Sequence, residues 1–243
     1  EPPGIALGCR FMQQRSDCAD FYALALLNLL SRYGGTSAIR ASDQEQIAAA
    51  FHGFKFWIDE PGVDAMCYFT ENHQILFHVN AYLAGQRWPT VKFTNSGLTG
   101  KQQQARAYQR IKRWIMSRLR GGFSEWDSNT YLAMDVFALI SLVEFAQHQR
   151  LQEMATALLH KLLFMIASQS WRGAHTSSHG RCYVAALKTA RVEHTSSLQR
   201  VAWGLGSFSG ETFATGALAL AQRYRVPEII QHVGADLPDV LIT

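Results

Sequence analysis

The chain has 243 residues, of which 48% are hydrophobic, 12% aromatic and 17% charged. This composition excludes an intrinsically disordered or collagen-like chain, and the length fits one globular domain over residues 1–243. The formal net charge is +4, but seven basic residues and no acidic one lie between residues 99 and 124, so the rest of the chain sums to −3. No stretch of about eighteen apolar residues occurs, and we therefore predict a soluble chain without a membrane span.

Helical periodicity runs along the whole chain, and no segment shows a strand pattern. Residues 20–30, 74–84 and 132–145 are apolar on nearly every face, which is typical of helices surrounded by neighbours. Between them, the basic segment 101–120 has a single apolar stripe, with arginines on the other side. The predicted fold class is all-α.

The spacing of the apolar helices indicates helical hairpins. These helices begin near residues 18, 71 and 126, a repeat of about 54 residues, which is two helices with their connections. A buried helix that alternates with an amphipathic one is what an inner and an outer ring require, so we predict an (α/α) toroid. A closed ring of six hairpins needs a longer chain. An incomplete toroid, a fragment of a longer protein and an open α-solenoid are therefore the alternatives.

Residues 169–200 interrupt this pattern. The segment is rich in Ser, Thr, His, Gly and Arg, and we predict a long irregular loop, which in a compact domain is typically functional or disordered. The four cysteines form no Cys-x-x-Cys pair, so buried thiols and disulfides both remain open. The chain opens with Glu-Pro-Pro-Gly, without a signal segment, which indicates a mature form or an excised part of a longer protein.

Three polar clusters lie where helices are expected to begin or where the irregular loop runs: residues 70–73, 124–129 and 171–183. The first two are one repeat apart, and positions one repeat apart lie side by side in an array of hairpins. We therefore expect the polar residues of these two clusters to converge at one end of the inner ring. Five of them are candidate catalytic residues: Glu71, Asn72, His73, Glu125 and Asp127.

Simpler interpretations exist for parts of these clusters. A single carboxylate at a helix start stabilises the helix whether or not a site is present. His175 and His179, with Cys182, have no standard zinc spacing, so we predict neither a metal nor a cofactor. The basic segment 101–120 lacks a nucleic-acid-binding motif, and we interpret it as a solvated outer face with no nucleic-acid partner.

Two short patterns resemble those of known enzymes. Asn72 and His73 at the start of an inner helix resemble the Asn-His element of the alginate and chondroitin-type polysaccharide lyases, which are (α/α)-toroid carbohydrate-active enzymes. His179, Arg181 and Tyr183 are similar in content to the His, Arg and Tyr of those lyases. The resemblance covers the helical architecture of most of the chain, although its motifs are short.

The resemblance implies β-elimination on a uronate-containing polysaccharide or oligosaccharide. Asn72 and Arg181 would stabilise the enolate-like intermediate, because both can hydrogen-bond the substrate carboxylate. His73 or His179 would take the C5 proton, and Tyr183 would donate a proton to the leaving oxygen. Five further residues are candidates for substrate binding: Trp126, Trp171, Asn129, Arg172 and His175. An enzyme of this class is expected to be secreted or periplasmic.

Two other functions compete with the lyase. Glu71 stands where the lyase pattern has a second Asn. Three carboxylates on one rim would repel an anionic substrate, so they suit a glycoside hydrolase better than a lyase. Glu125 would then be the general acid, and Asp127 or Glu71 the general base. An open array of hairpins would instead be a non-catalytic binding scaffold, in which Glu71 and Glu125 do not converge.

Overall fold

Helices dominate residues 3–236, the part of the chain that this computed structural model describes. This confirms the all-α prediction. None of the helices in that range has both the length and the hydropathy needed to cross a lipid bilayer. The helices are α1 (Pro3–Gln14), α2 (Ala19–Tyr33), α3 (Ala41–His52), α4 (Glu71–Arg87), α5 (Gly100–Gly121), α6 (Leu132–Phe145), α7 (Gln149–Ser168), α8 (Val184–Lys188), α9 (His194–Trp203), α10 (Phe213–Ala219) and α11 (Glu228–Ala235).

The described chain divides into two compact units, and the division falls within α5. The first unit comprises residues 3–114 and 145–147, and the second comprises residues 115–144 and 148–236. Each unit is described by itself below. The prediction of one continuous domain stays a prediction.

In the first unit, α2 packs against α1 and α4, and α1 also packs against α3. The side chains of α4 are buried on all faces from Glu71 to Gly85 with one exception, as its apolar pattern predicts. The amphipathic α5 buries Ile111 and exposes Lys112 and Arg113. Its Arg106 and Arg110 both pair with Asp59, so part of the basic segment is neutralised within the unit.

In the second unit, α6 is buried on every face, as its sequence predicts. Helix α7 packs against α11, and α9 packs against α10 and α11. The buried Glu144 near the end of α6 accepts hydrogen bonds from three successive backbone N–H groups, those of residues 222, 223 and 224, at 2.8–2.9 Å. One carboxylate therefore holds the turn that precedes α11.

The predicted irregular loop 169–200 is less irregular than expected. It contains two short antiparallel strands, β1 (Ser170–Trp171) and β2 (Ala174–His175), then α8, a 3-10 turn (Ala190–Val192) and the start of α9. Its polar composition conceals α9, because Ser196 and Ser197 of that helix are buried and bond to the backbone of residues 207 and 209. Gly173 is required between the strands: its φ is +83°, and a Cβ there would lie 2.1 Å from the backbone nitrogen of residue 206.

All four cysteines lie in the described range, and all four are free thiols. The choice between thiols and disulfides that the sequence leaves open is therefore decided in favour of thiols in this structure.

Candidate functional site

The second and third polar clusters lie against each other in the second unit. The backbone N–H of Gly180 donates to the carbonyl of Trp126 at 2.8 Å, and Nδ1 of His179 donates to the carbonyl of Asp127 at 2.6 Å. A side chain at position 180 would contact the backbone of Trp126 at 3.2 Å, so a glycine allows this close approach. The predicted residues of the segments 124–129 and 179–183 therefore form one cluster, which we call the loop cluster.

The segment 124–129 is a turn and not the first turn of a helix, because α6 begins only at Leu132. The N–H of Ser128 donates to the carbonyl of Glu125, and the Ser128 hydroxyl accepts from the backbone N–H of Tyr131 at 3.1 Å. The backbone of Asp127 has a φ of +44°, which residues other than glycine rarely adopt. Strained backbone of this kind is concentrated at functional sites.

Arg181 is the centre of the loop cluster. Its Nη1 lies 2.6 Å from Oε1 of Glu125, whose side chain is 8% exposed. Its Nη2 donates to the hydroxyls of Tyr131 at 3.2 Å and Tyr183 at 3.4 Å, and its guanidinium stacks on the Tyr131 ring at 4.0 Å. The sequence prediction includes Glu125, Arg181 and Tyr183 but omits Tyr131. The signal for Tyr131 is its position directly after the polar cluster 124–129.

The two tyrosine hydroxyls are hydrogen-bonded to each other. Burial raises the pKa of Tyr131, and the hydrogen bond with Tyr183 raises it further, against the charge of Arg181. Tyr131 is therefore protonated at neutral pH and able to donate. Tyr183 is half exposed, so its hydroxyl is the more accessible of the two.

The tautomer of His179 follows from its partner. A carbonyl oxygen can only accept, so Nδ1 of His179 carries the proton that bonds the Asp127 carbonyl, and Nε2 is the ring nitrogen left to take up a proton. The ring of His175 stacks beside it, with centroids 5.4 Å apart. Burial, and then the charge of His179, lowers the pKa of His175 to about 4. His175 is therefore neutral at physiological pH.

The Asp127 carboxyl group is buried beside these rings. Its Oδ1 lies 3.9 Å from Nε2 of His175 and has no hydrogen-bond partner within residues 3–236. Burial raises the pKa of Asp127, although a hydrogen bond from Gln169 and the charge of His179 oppose the change. Asp127 is therefore easier to protonate than an exposed aspartate.

A cavity of about 390 Å³ in the second unit is lined by His179 and Cys182 of the loop cluster, whereas Arg181 and its partners Glu125, Tyr131 and Tyr183 are not among its lining residues. That volume is within the range of small-ligand sites. Its polar and ionisable lining includes His175, Ser177, His179, Cys182, Lys188 and Glu193.

The predicted substrate-binding residues differ in accessibility. Trp126 is 51% exposed, and Trp171 is half-buried with the guanidinium of Arg172 over its ring at 5.4 Å. Asn129 and His175 are buried. Trp126, Trp171 and Arg172 are therefore at the surface, whereas Asn129 and His175 lie in the interior of the second unit.

The first polar cluster belongs to the first unit. Glu71, Asn72 and His73 form the first turn of α4 and are buried, and the preceding Thr70 makes no capping hydrogen bond with its side chain. Nδ1 of His73 donates to Oδ2 of the buried Asp20 on α2 at 2.8 Å. Burial lowers the pKa of His73, but the hydrogen bond and charge of Asp20 raise it by more, so the net shift is upward.

The predicted convergence concerns residues of different units. Glu71, Asn72 and His73 lie in the first unit, and Glu125 and Asp127 lie in the second. Their meeting around one hollow stays a prediction. Within the first unit, a separate group could hold a metal, because ligand atoms of Asp17, Cys18 and His73 all lie within 4.8 Å of one another.

Comparisons with protein-family models, with curated proteins and with solved structures found no match for this chain. The site is therefore interpreted from its own geometry.

Proposed function

We propose that the chain is a carbohydrate-active enzyme of the (α/α)-toroid type that cleaves a uronate-containing polysaccharide by β-elimination. The observation that carries the proposal is the contact of Arg181 with the hydroxyls of Tyr131 and Tyr183, in the loop cluster that also holds His179. The reaction requires a positive charge, a proton donor and a proton acceptor. A guanidinium, a pair of phenols and an imidazole supply these three.

The charge of the loop cluster is compatible with an anionic substrate. Glu125 by itself would repel a uronate, but its carboxylate is paired with Arg181. Arginine has five N–H donors in a planar fork, and those of Arg181 that Glu125, Tyr131 and Tyr183 do not use can bond a second carboxylate. Lys188 on the cavity wall adds a positive charge.

The elimination requires one proton to be taken from the sugar and one to be given to the leaving group. Nε2 of His179 takes the C5 proton, and the electrons of the broken C–H bond form the C4–C5 double bond. The C4–oxygen bond breaks, and the hydroxyl of Tyr183 donates its proton to the leaving oxygen. Tyr131 is hydrogen-bonded to Tyr183 and stays protonated, so it stabilises the phenolate that Tyr183 becomes. Exchange with water then restores both groups.

One observation favours a glycoside hydrolase as the second candidate. Burial raises the pKa of Asp127, as a general acid needs. Asp127 would then be the acid and Glu125, two positions before it in the same turn, the base, which reverses the roles expected from the sequence. The hydrolase differs from the lyase in its product. Elimination leaves an unsaturated sugar that absorbs ultraviolet light, whereas hydrolysis adds water and leaves no double bond.

The test is a screen of the purified chain on uronate-containing and neutral polysaccharides, with ultraviolet absorbance and reducing ends recorded together. The lyase predicts that both rise on a uronate substrate. Reducing ends without absorbance would replace the lyase by the hydrolase. Binding without any product would support the scaffold and refute both enzymes.

A variant of the loop cluster and a matched control test whether this cluster catalyses the reaction. We expect His179→Ala to reduce turnover by about 10²- to 10⁴-fold, the usual contribution of a general base. His232→Ala is the control, because that side chain is 73% exposed on α11. Equal activity of the two variants would refute the role of His179.

A further inference from the structure

Three residues that bear metal-binding groups come together in the first unit from two separate segments. Asp17 and Cys18 lie in the turn between α1 and α2, and His73 lies in the first turn of α4. The proposed elimination uses none of their side chains. The group is therefore independent of the proposed function.

The distances suit a metal ion. One ligand atom each of Asp17, Cys18 and His73 lies within 4.8 Å of the other two. Zinc holds carboxylate oxygen and imidazole nitrogen at about 2.0–2.2 Å and thiolate sulfur at about 2.3 Å, which puts tetrahedral ligand atoms about 3.5 Å apart. Binding an ion would therefore draw the three ligand atoms closer together than they lie in this structure.

His73 is oriented as in many metal sites. Its Nδ1 donates to Oδ2 of Asp20 at 2.8 Å, and Asp20 is fully buried. The backbone carbonyl of Asp20 in turn accepts from Nδ2 of Asn80 at 2.8 Å. The nitrogen that remains for a ligand bond is therefore Nε2. A histidine that ligates a metal typically gives its other N–H to a carboxylate in this way.

Cys18 has an unusual backbone conformation for a residue that directly precedes a helix. Its φ of +63° is in the left-handed region, which residues with a Cβ rarely adopt. It stands at the N-cap of α2 and makes no side-chain capping hydrogen bond. A thiol held in this conformation beside a histidine and an aspartate is consistent with a ligand.

Cys67 does not belong to this group, and its Sγ lies 3.8 Å from the hydroxyl of Thr70. One thiolate, one imidazole and one carboxylate are all ligands that zinc accepts. Three protein ligands leave the fourth position of a tetrahedral ion to water.

We propose that Asp17, Cys18 and His73 bind one zinc ion, which ties the α1–α2 turn to the start of α4. Asp20 is a positioning residue that orients His73. In the elimination, His179 is then the base, because zinc uses Nε2 of His73.

The test is a cobalt titration of the full chain after chelator treatment under reducing conditions. Co²⁺ replaces Zn²⁺ and gives a thiolate charge-transfer band. We expect one equivalent to bind, zinc to displace it, and Zn²⁺ to raise the midpoint of thermal unfolding. The absence of a thiolate band at saturating Co²⁺ would overturn the proposal.

Variants locate the ion. Cys18→Ser and Asp17→Asn should each weaken Co²⁺ binding at least about 10-fold, and Asp20→Asn about 10- to 100-fold. Cys182→Ser is the matched control, since that thiol lies in the second unit. Asp17 is exposed, so its variant keeps the test valid even where Cys18→Ser does not fold. Wild-type affinity in both Cys18→Ser and Asp17→Asn would refute the site.

Discussion

Arg181 and Glu125, which are 56 positions apart in the sequence, form an ion pair with 2.6 Å between Nη1 and Oε1. This pair joins the irregular loop to the turn before α6 and brings the predicted residues of two polar clusters into one group. It also removes the main objection to an anionic substrate, because the Glu125 charge is compensated. The interpretation of the loop cluster therefore depends on this pair.

The first prediction concerns this pair. Arg181→Ala removes the cationic partner of the buried Glu125 carboxylate, so we expect the free energy of unfolding to fall by about 1–3 kcal/mol. The double variant Arg181→Ala with Glu125→Gln should recover part of this loss, because it removes the buried negative charge as well. Denaturant unfolding of the four proteins in this double-mutant cycle measures the coupling energy.

The control pair is Arg150 with Glu153, whose side chains are 71% and 49% exposed. Its coupling should stay below about 0.5 kcal/mol, as for exposed pairs in helices. A coupling of Arg181 with Glu125 no larger than that of the control would contradict the importance given to this contact.

The second prediction separates the two tyrosines. Tyr183→Phe removes the hydroxyl proposed as the proton donor and keeps the ring, so we expect kcat to fall by about 10²- to 10⁴-fold with little change in KM. Tyr131→Phe should have a smaller effect, because Tyr131 acts on the hydroxyl of Tyr183. Steady-state kinetics measures both. Tyr33→Phe, on α2, is the control, and an unchanged kcat in Tyr183→Phe would remove Tyr183 from the mechanism.

The third prediction is a dependence of stability on pH. The ordinary histidine pKa is 6.5, and burial lowers that of His175 to about 4 in the folded chain. Between these pH values the unfolded chain binds more protons at this position, so the stability that His175 contributes falls as the pH falls from 6.5 to 4. The full loss is about 3 kcal/mol at about 1.4 kcal/mol per pKa unit.

The measurement is the difference between wild type and His175→Gln in the free energy of unfolding across this pH range. The difference is needed because Asp127 and Glu193, which lie close to His175, have pKa values raised by burial and act in the opposite direction. The exposed His232→Gln is the control. A difference between wild type and His175→Gln that does not change with pH would refute the neutral, buried state of His175.

The fourth prediction concerns Glu144. Its carboxylate accepts three backbone hydrogen bonds, and Glu144→Ala leaves those N–H groups without this acceptor. We expect a loss of about 3 kcal/mol in the free energy of unfolding, and a smaller loss for Glu144→Gln, which keeps an oxygen acceptor but no charge. Equal unfolding midpoints for Glu144→Ala and the wild type would show that the turn is held by other contacts.

The extent to which sequence predicted the site differs between clusters. Glu125, Arg181 and Tyr183 were expected from their residue types, and they meet in the second unit. Their partners were harder to predict: Tyr131 carries no polar motif, and Asp20 lies inside an apolar helix 53 positions before His73. The serines of α9 made this helix hard to predict. Their hydroxyls accept hydrogen bonds from a loop that lies 11 and 12 positions further along the chain, and the pattern within the helix does not show these partners.

The sequence by itself determined the helical class, the buried character of α4 and α6 and the amphipathic character of α5. It could do so because periodicity is a local property that adjacent turns of one helix express. Only the tertiary structure decided which polar residues are partners. The pairs Arg181–Glu125 and His73–Asp20 each join positions more than 50 residues apart. Such contacts depend on how whole helices and loops pack, which no local pattern encodes.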